Sequence, residues 1–225
     1  MLSKLTKNTR PVIAILGGTG KEGPGLAKRW AIAGYEIIIG SRSEEKAQKT
    51  ANELSQQLNL DAFRGMNNQE AAQAGDICVL TVVQSAHEEA INSVSSALQG
   101  KILVDATARV DFRNPQPPKA PSAARLAQNR LGNRVRVVAA FQNVPAHSLA
   151  RNLDKSLETD VLVCADDVQA AQEVIHLAEA IGMNAYYAGD LDNAIIIEGL
   201  TALLISINKH YGINTASIGV TGVRK

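Results

Sequence analysis

Residues 12–23 read VIAILGGTGKEG, and this stretch decides the fold. The apolar run at 12–16 is rich in β-branched residues, which predicts a buried strand that stops at a cluster of glycines. An amphipathic helical pattern follows at once, with Leu26, Ala27, Trp30 and Ala31 on one face. The pattern therefore predicts a strand, a glycine turn and a helix, the first half of a βαβ unit.

The glycines of this turn have the spacing G-x-G-x-x-G, at Gly18, Gly20 and Gly23. In a dinucleotide-binding fold the first two allow a tight turn and a close approach of pyrophosphate, and the third lets helix and strand pack closely. Amides at the N-terminus of the helix then face the phosphates. We predict a dinucleotide site, with a purely structural turn as the alternative. The loop residues assigned to it are Gly18, Thr19, Gly20, Lys21 and Glu22.

The end of the second predicted strand indicates which dinucleotide binds. At this position an NAD site has an Asp or Glu that accepts hydrogen bonds from the ribose 2′-hydroxyl. This chain instead has Ser41 and Arg42, with Lys46 one helical turn further on. Because these side chains donate to phosphates, we predict a 2′-phosphate pocket and hence NADP(H). The alternative is that Arg42 and Lys46 are solvated charges paired with Glu44 and Glu45.

Strand and helix patterns alternate along the rest of the chain, including continuous apolar runs at 76–83 and 101–105. Such alternation predicts an α/β fold with a Rossmann-type, doubly wound, mainly parallel sheet. Ligands in this fold lie beyond the C-terminal ends of the strands. The further cofactor contacts that we expect there are Thr81, Val82, Val83 and Ala106.

Two segments are predicted to wall the cofactor crevice. Residues 112–121 (FRNPQPPKAP) contain four prolines, which forbid regular structure and predict a loop at the rim. Residues 141–147 (FQNVPAH) follow a predicted strand at 134–140, again at a C-terminal edge. We expect this second segment to form the opposite wall of the active site.

We divide the chain into an NADP-binding Rossmann domain, residues 1–151, and a small C-terminal α/β appendage, residues 152–225. The appendage ends in a long helix predicted at 193–211, which is apolar nearly all round. One small domain cannot easily cover such a helix, so we predict a homodimer in which the helix contributes to the interface. Residues 1–10 and 216–225 are expected to be an irregular leader and tail.

Composition excludes several classes of partner. The 225 residues carry a formal net charge of +1, so no overall field would recruit nucleic acid or an anionic membrane. No signal sequence or bilayer-spanning segment is expected, which predicts a cytoplasmic protein. Cys78 and Cys164 lie inside apolar strand patterns and are expected to be core residues. The four histidines show no metal-ligand spacing, so no metal is predicted.

Together with LTALLISINKHYG at 200–212, these segments resemble the F420-dependent NADP oxidoreductase family over nearly the whole chain after the leader. The most specific parts are the glycine loop with Thr19, the GSR-x-x-x-K element and the LTALL sequence. The resemblance implies that the 2′-phosphate contacts fall on Thr19, Ser41, Arg42 and Lys46. It also implies a deazaflavin pocket lined by the loop after the fourth strand and by part of the 141–146 segment. The residues assigned from that segment are Gln142, Asn143, Val144 and Pro145.

The chemistry implied by the resemblance is reversible hydride transfer between NADP(H) and the deazaflavin coenzyme F420. Both reacting rings belong to cofactors, so no catalytic side chain is expected. Family members often have His or Pro where this chain has Gln142 and Val83. Two alternatives therefore stay open: an NADPH-dependent reductase of a flavin, quinone or ferric chelate, and a non-catalytic NADPH-binding sensor.

Overall fold

The computed structural model describes residues 10–223, in which strands and helices alternate. The strands are β1 Ile13–Leu16, β2 Ile37–Ser41, β3 Phe63–Asn67, β4 Ile77–Leu80, β5 Ile102–Asp105, β6 Arg136–Ala139, β7 Asp160–Ala165 and β8 Asn184–Tyr187. The helices are α1 Gly23–Ile32, α2 Glu44–Leu58, α3 Asn68–Ala74, α4 His87–Val94, α5 Ala123–Leu131, α6 Ala146–Leu149, α7 Val168–Glu179 and α8 Ala194–Tyr211.

The strands form one sheet in the order β3-β2-β1-β4-β5-β6-β7-β8. All neighbouring pairs are parallel except β6 with β7, which is antiparallel. The register pairs Leu16 with Leu80, Leu80 with Asp105, and Asp105 with Ala139. The C-terminal ends of these strands therefore lie at one edge of the sheet. The predicted Rossmann-type doubly wound sheet and its long C-terminal helix are confirmed.

The core has two layers because side chains alternate between the faces of the sheet. Helices α1, α2 and α7 cover one face, and α3, α4, α5 and the start of α8 cover the other. Trp30 of α1 is fully buried and donates its indole N–H to the carbonyl of Leu177 at 2.9 Å. Cys78 and Cys164 are also fully buried, and burial raises the pKa of each thiol to about 12, as expected of core residues.

The C-terminal part of the chain continues the same sheet. Strands β7 and β8 extend it beyond β6, and α7 packs on the core layer that contains α1. Residues 152–223 thus share a sheet with the residues before them, and the division into two domains at residue 151 stays a prediction. Of the expected leader, residues 1–9 lie outside the described residues, as do residues 224–225 of the tail.

One helix differs from its predicted extent. The sequence pattern predicts a helix over 84–98, whereas residues 84–86 form a 3₁₀ turn and α4 ends at Val94. The hydroxyls of Ser93 and Ser95 donate to the carbonyls of Ala90 and Asn92. Serines that bond nearby backbone carbonyls in this way compete with a continuing helix, which accounts for the early end.

The segment Leu191–Tyr211, which includes α8, is long and apolar enough to cross a bilayer by length and composition alone. In the fold, Ala194, Ile197 and Leu204 are buried. Glu198 is buried among them, and its carboxylate accepts hydrogen bonds from backbone amides of the same chain. One face of α8 is therefore packed into the fold, and its charged residue is satisfied by the protein, while 39% of the apolar window in this segment is buried.

Candidate active site

The glycine loop between β1 and α1 has a geometry that only glycine permits. Gly17 has a φ of +73°. A Cβ on Gly18 would lie 2.7 Å from the carbonyl oxygen of Ile15, and one on Gly23 would lie 2.6 Å from the Cα of Gly18. The Gly18 amide donates to the Gly40 carbonyl at 2.8 Å, which ties the loop to β2. The third glycine of the motif thus allows the close helix packing predicted for it.

Several amides of this loop are available to a ligand. Those of Thr19, Lys21, Glu22 and Gly23 donate to no other group within residues 10–223. They precede or open α1, whose N-terminus carries partial positive charge. Free amides at such a helix N-terminus suit the pyrophosphate of a dinucleotide.

Asn68, at the start of α3, supports the loop and was missed by sequence reasoning. Its side chain is buried, and its Oδ1 accepts the Gly17 amide at 3.1 Å. A Cβ on Gly40 would lie 2.9 Å from the same oxygen. The side chain of Asn68 therefore fixes the conformation in which the loop leaves β1.

Residues expected to bind the 2′-phosphate come together at the ends of β1 and β2. The Thr19 and Ser41 hydroxyl oxygens are 3.5 Å apart, and Ser41 Oγ also accepts the Ser43 amide at 3.3 Å. Arg42 and Lys46 are exposed beside them, and Ser43 caps α2 by accepting the Lys46 amide. The hydroxyls of Thr19 and Ser41 thus meet at the end of β2, next to the segment that carries both cations.

The alternative role for Arg42 and Lys46 is to form ion pairs with the neighbouring Glu44 and Glu45. Within residues 10–223 no ion pair joins Arg42 or Lys46 to Glu44 or Glu45. Glu44 instead accepts a hydrogen bond from the Gln48 side chain at 2.7 Å. Both cations are therefore available to an anionic ligand.

Glu22 is the acidic residue of the glycine loop. Its Oε1 is buried and has no hydrogen-bond partner within the described residues. Burial raises the pKa of this carboxyl from 4.5 to about 8, so it is protonated at neutral pH. A neutral carboxyl does not repel a pyrophosphate, whereas an ionised one would.

The loops after β4 and β5 form the next part of the edge. Thr81 donates its hydroxyl to the Leu16 carbonyl at 3.3 Å, and Thr107 donates to the Val82 carbonyl at 3.4 Å. Val83 is 61% exposed, whereas Ala106 is buried and its amide donates to the Leu80 carbonyl. Of the four residues expected here, Val83 offers the most open apolar surface to a ligand.

The segment after β6 begins with a strained residue. Phe141 has a φ of +76°, and its fully buried ring meets that of Trp30 edge to face at a centroid distance of 5.7 Å. A bulky residue in this conformation costs about 1–3 kcal/mol unless its surroundings hold it. The packing against Trp30 holds Phe141, and the strain sets the direction in which the segment leaves the sheet.

The expected acceptor residues occupy the turn that follows. Gln142 donates its side-chain amide to the Asp105 carbonyl at 2.8 Å, and its buried Oε1 has no partner within residues 10–223. Asn143 donates to the Asp160 carbonyl at 2.7 Å, and Val144 is buried. Pro145, the residue before α6, is partly exposed. The first three side chains are thus turned into the protein, and their contact with an acceptor stays a prediction.

A buried His–Asp pair lies at the end of β5, and sequence reasoning did not find it. His87 Nε2 and Asp105 Oδ2 are 2.6 Å apart, and Asp105 Oδ1 accepts the Thr107 amide at 3.0 Å. Burial alone would lower the pKa of His87, but its hydrogen bond to Asp105 and the nearby negative charges raise it. The pair ties the start of α4 to the end of β5.

Glu198 of α8 lies close to this pair. Its carboxylate is fully buried and accepts the Ala123 amide at 2.6 Å and the Arg109 amide at 3.1 Å. The Nε of Arg109 also lies 3.5 Å from Glu198 Oε2, and the two side chains form an ion pair. Burial raises the pKa of Glu198, and the two amides oppose part of that rise. Asp105, Glu198, His87 and the partly exposed Arg109 thus form one largely buried polar cluster at the end of β5.

Comparison with known proteins places this architecture in a family. The family model described as NADP oxidoreductase coenzyme F420-dependent matches residues 12–109. A protein of Methanocaldococcus jannaschii named F420-dependent NADP reductase is 40% identical over 94% of this chain and 98% of its own. A protein of Methanothermobacter thermautotrophicus with the same name is 37% identical over 94% of this chain and 95% of its own. This chain belongs to the F420-dependent NADP oxidoreductase family.

A solved structure from Arthrobacter sp. FB24 has the same fold as this family member. It superposes with a TM-score of 0.80 at 24% identity, covering 95% of this chain and all of that one. The superposition shows that the two chains share one fold over nearly the whole of this chain.

Among residues 10–223 of this family member, no group of three or more His, Cys, Asp or Glu side chains is placed to hold a metal ion. Two depressions of the surface lie away from the cofactor edge. One, of about 200 Å³, lies beside Arg29, whose buried guanidinium donates to the carbonyls of Leu149, Arg151 and Lys155. We interpret that depression as structural, because its cation already anchors the chain that follows the acceptor segment.

Proposed function

We propose that this protein transfers a hydride between NADP(H) and the deazaflavin coenzyme F420. The observation that carries the proposal is identity of 37–40% over nearly the full length of reductases named for this reaction. Because both reacting rings are cofactors, the chain has only to bind them, stack them and exclude water. The relatives are reductases, which favours an enzyme over a non-catalytic sensor.

In this proposal the nucleotide lies along the edge formed by the glycine loop and the ends of β1, β2 and β4. The amides of the loop bind the pyrophosphate, and Thr19, Ser41, Arg42 and Lys46 bind the 2′-phosphate. The proximity of the two hydroxyls and the unpaired state of both cations support this assignment. Arginine contributes most there because it can donate two parallel hydrogen bonds to one phosphate.

The acceptor is proposed to lie between the loop after β4 and the segment after β6. Val83 would supply exposed apolar surface, and Pro145 a second partly exposed contact. The buried Oε1 of Gln142 is an unused acceptor that a ring N–H could reach after a small side-chain movement. A site lined in this way binds a flat ring without supplying a nucleophile.

The direct test mixes the protein with oxidised F420 and NADPH and follows the visible absorbance of F420. We expect bleaching with NADPH and little or none with NADH. If NADPH binds by titration and F420 keeps its absorbance, F420 is not the acceptor. The same assay with a flavin, a quinone and a ferric chelate then identifies which acceptor replaces it.

We also propose a homodimer that forms through α8. An apolar stripe runs along the helix at Ile196, Leu200, Leu203 and Ile207, with Ile196 62% and Leu203 56% exposed. These positions recur at helical spacing on one face, which is the pattern of a contact surface. When a second copy covers this apolar stripe, the stripe is removed from water, and this burial stabilises the dimer.

Light scattering coupled to size-exclusion chromatography tests the dimer. The native chain should elute with twice its monomer mass, and Leu203→Glu should shift it to a monomer. Gln172→Glu adds the same charge on an exposed position of α7 and should leave the mass unchanged. A monomeric native chain would remove the proposal.

A cytoplasmic location is proposed as well. It rests on the packing of one face of α8 into the fold, where Ala194, Ile197 and Glu198 are buried. Fractionation of cells that produce the protein should leave it in the supernatant after the membranes are sedimented. Recovery with the membranes would contradict it.

A further inference from the structure

The proline-rich loop is held at both of its ends by one side chain. The loop leaves β5 through Arg109 and enters α5 at Ala123, and Glu198 of α8 accepts the amide of each. Glu198 is fully buried, so each of its carboxylate oxygens is shielded from water by the groups it binds. A buried carboxylate that accepts two amides holds them more strongly than a neutral acceptor would.

The same face of α8 also holds the acceptor segment. Thr201 lies three residues after Glu198, and positions three apart lie next to each other on a helix. The Thr201 hydroxyl donates to the Gln142 carbonyl at 2.8 Å. The two ends of the loop and the segment after β6 are therefore held side by side on one turn of α8.

Between its ends the loop has few anchors. Lys209 Nζ donates to the Arg113 carbonyl at 2.6 Å, and the Arg109 guanidinium donates to the Lys119 carbonyl. Phe112 is 60% exposed and is not part of either core layer. The position of this exposed aromatic ring thus depends on how firmly the ends of the loop are fixed.

We propose that Glu198 is a positioning residue for the acceptor: by fixing both ends of the 109–123 loop on α8, it sets one wall of the acceptor site. This inference rests on the proposed hydride transfer. When the loop is already ordered in the free protein, acceptor binding does not have to supply the free energy needed to order it. The residues proposed to bind the phosphates of the nucleotide lie in the glycine loop and at the end of β2, so NADPH affinity should not depend on Glu198.

Glu198→Gln is the first test. Glutamine has the same shape but only one acceptor oxygen, so one of the two amides loses its partner and Arg109 loses its counter-charge. We expect KM for F420 to rise roughly tenfold, while the Kd for NADPH, titrated without acceptor, stays within twofold. Hydrogen–deuterium exchange of residues 109–123 should accelerate while the strands remain protected.

Lys209→Met is a second variant, which removes an exposed anchor of the loop and leaves the buried carboxylate in place. It should raise KM for F420 by about two- to threefold, without changing NADPH binding. Ser206→Ala is the control on the same helix, because that hydroxyl bonds only to the Ala202 carbonyl of α8. Its kinetic constants and its exchange should match those of the native chain.

The outcomes separate the two levels of the proposal. Faster loop exchange with an unchanged KM for F420, or equal losses of F420 and NADPH binding, would mean that Glu198 serves only the stability of the fold. Native protein that binds NADPH but does not bleach F420 would refute hydride transfer to F420. In that case hydrogen–deuterium exchange and NADPH titration alone test whether Glu198 fixes the loop. Exchange of residues 109–123 that is the same in Glu198→Gln and in the native chain would show that it does not.

Discussion

Glu22 offers the sharpest test of the electrostatics of the glycine loop. Its carboxyl is buried beside a set of free amides, and its pKa is raised from 4.5 to about 8. Glu22→Gln keeps the shape of the side chain and removes the titration. The substitution should therefore change the way in which the free energy of unfolding depends on pH, as well as its value at any one pH.

The sign and size follow from proton binding. Between pH 4.5 and about 8 the folded chain retains a proton on Glu22 that the unfolded chain releases, so the free energy of unfolding falls as pH rises. At about 1.4 kcal/mol for each pH unit, the full shift corresponds to about 5 kcal/mol. The Oε1 atom is buried, but Glu22 as a whole residue is half-buried, so we expect nearby water to reduce the loss to about 2–3 kcal/mol.

Urea unfolding followed by the fluorescence of the buried Trp30 measures this at pH 5, 6, 7, 8 and 9. The native chain should lose stability across the series, and Glu22→Gln should lose about 2–3 kcal/mol less. Glu53→Gln, at an exposed position of α2, is the control and should follow the native curve. Native and Glu22→Gln curves that run parallel would refute the buried, protonated carboxyl.

Three further perturbations test other parts of the site. Arg42→Glu should weaken NADPH by about 2–4 kcal/mol in calorimetric titration while sparing NADH, and equal losses would contradict the 2′-phosphate pocket. His87→Gln should make the free energy of unfolding fall less steeply with pH above 6.5. The pKa of His87 is raised in the folded chain, so its stabilising effect is lost as pH rises through that folded-state pKa. Urea unfolding at several pH values measures this, and the same pH dependence in the variant and the native chain would contradict it. Lys101→Met should lower the free energy of unfolding by about 1–3 kcal/mol with NADPH affinity unchanged, because the ammonium donates to three carbonyls at the end of α3.

The glycine turn and the helix ends could be predicted from sequence because their determinants are local. The glycine turn needs only the residues between β1 and α1, and the ends of helices are marked by single residues. Ser43 and Ser122 cap α2 and α5, and Gly34, with a φ of +86°, follows the end of α1 as expected. Each of these features is set by bonds that span a few positions, so a pattern in one sequence can report it.

The buried polar cluster could not be predicted because its contacts are distant in sequence. His87 and Asp105 are 18 residues apart, and Glu198 lies 89 residues from Arg109. Asn68, which supports the glycine loop outside this cluster, is likewise 51 residues from Gly17. No periodicity relates such positions before the sheet has formed. The one available signal was an acid inside the apolar run of α8, since a carboxylate there must find partners or face water.

This difference also separates the two binding sites physically. In the proposed arrangement the phosphates lie against the glycine loop of the first βαβ unit, whereas the proposed acceptor wall depends on α8 reaching back to the loop after β5 and to the segment after β6. A substitution on α8 can therefore alter the acceptor site without disturbing the glycine loop. The acceptor half should change more readily between relatives than the nucleotide half, and Glu198 and Thr201 are the positions at which that change would act.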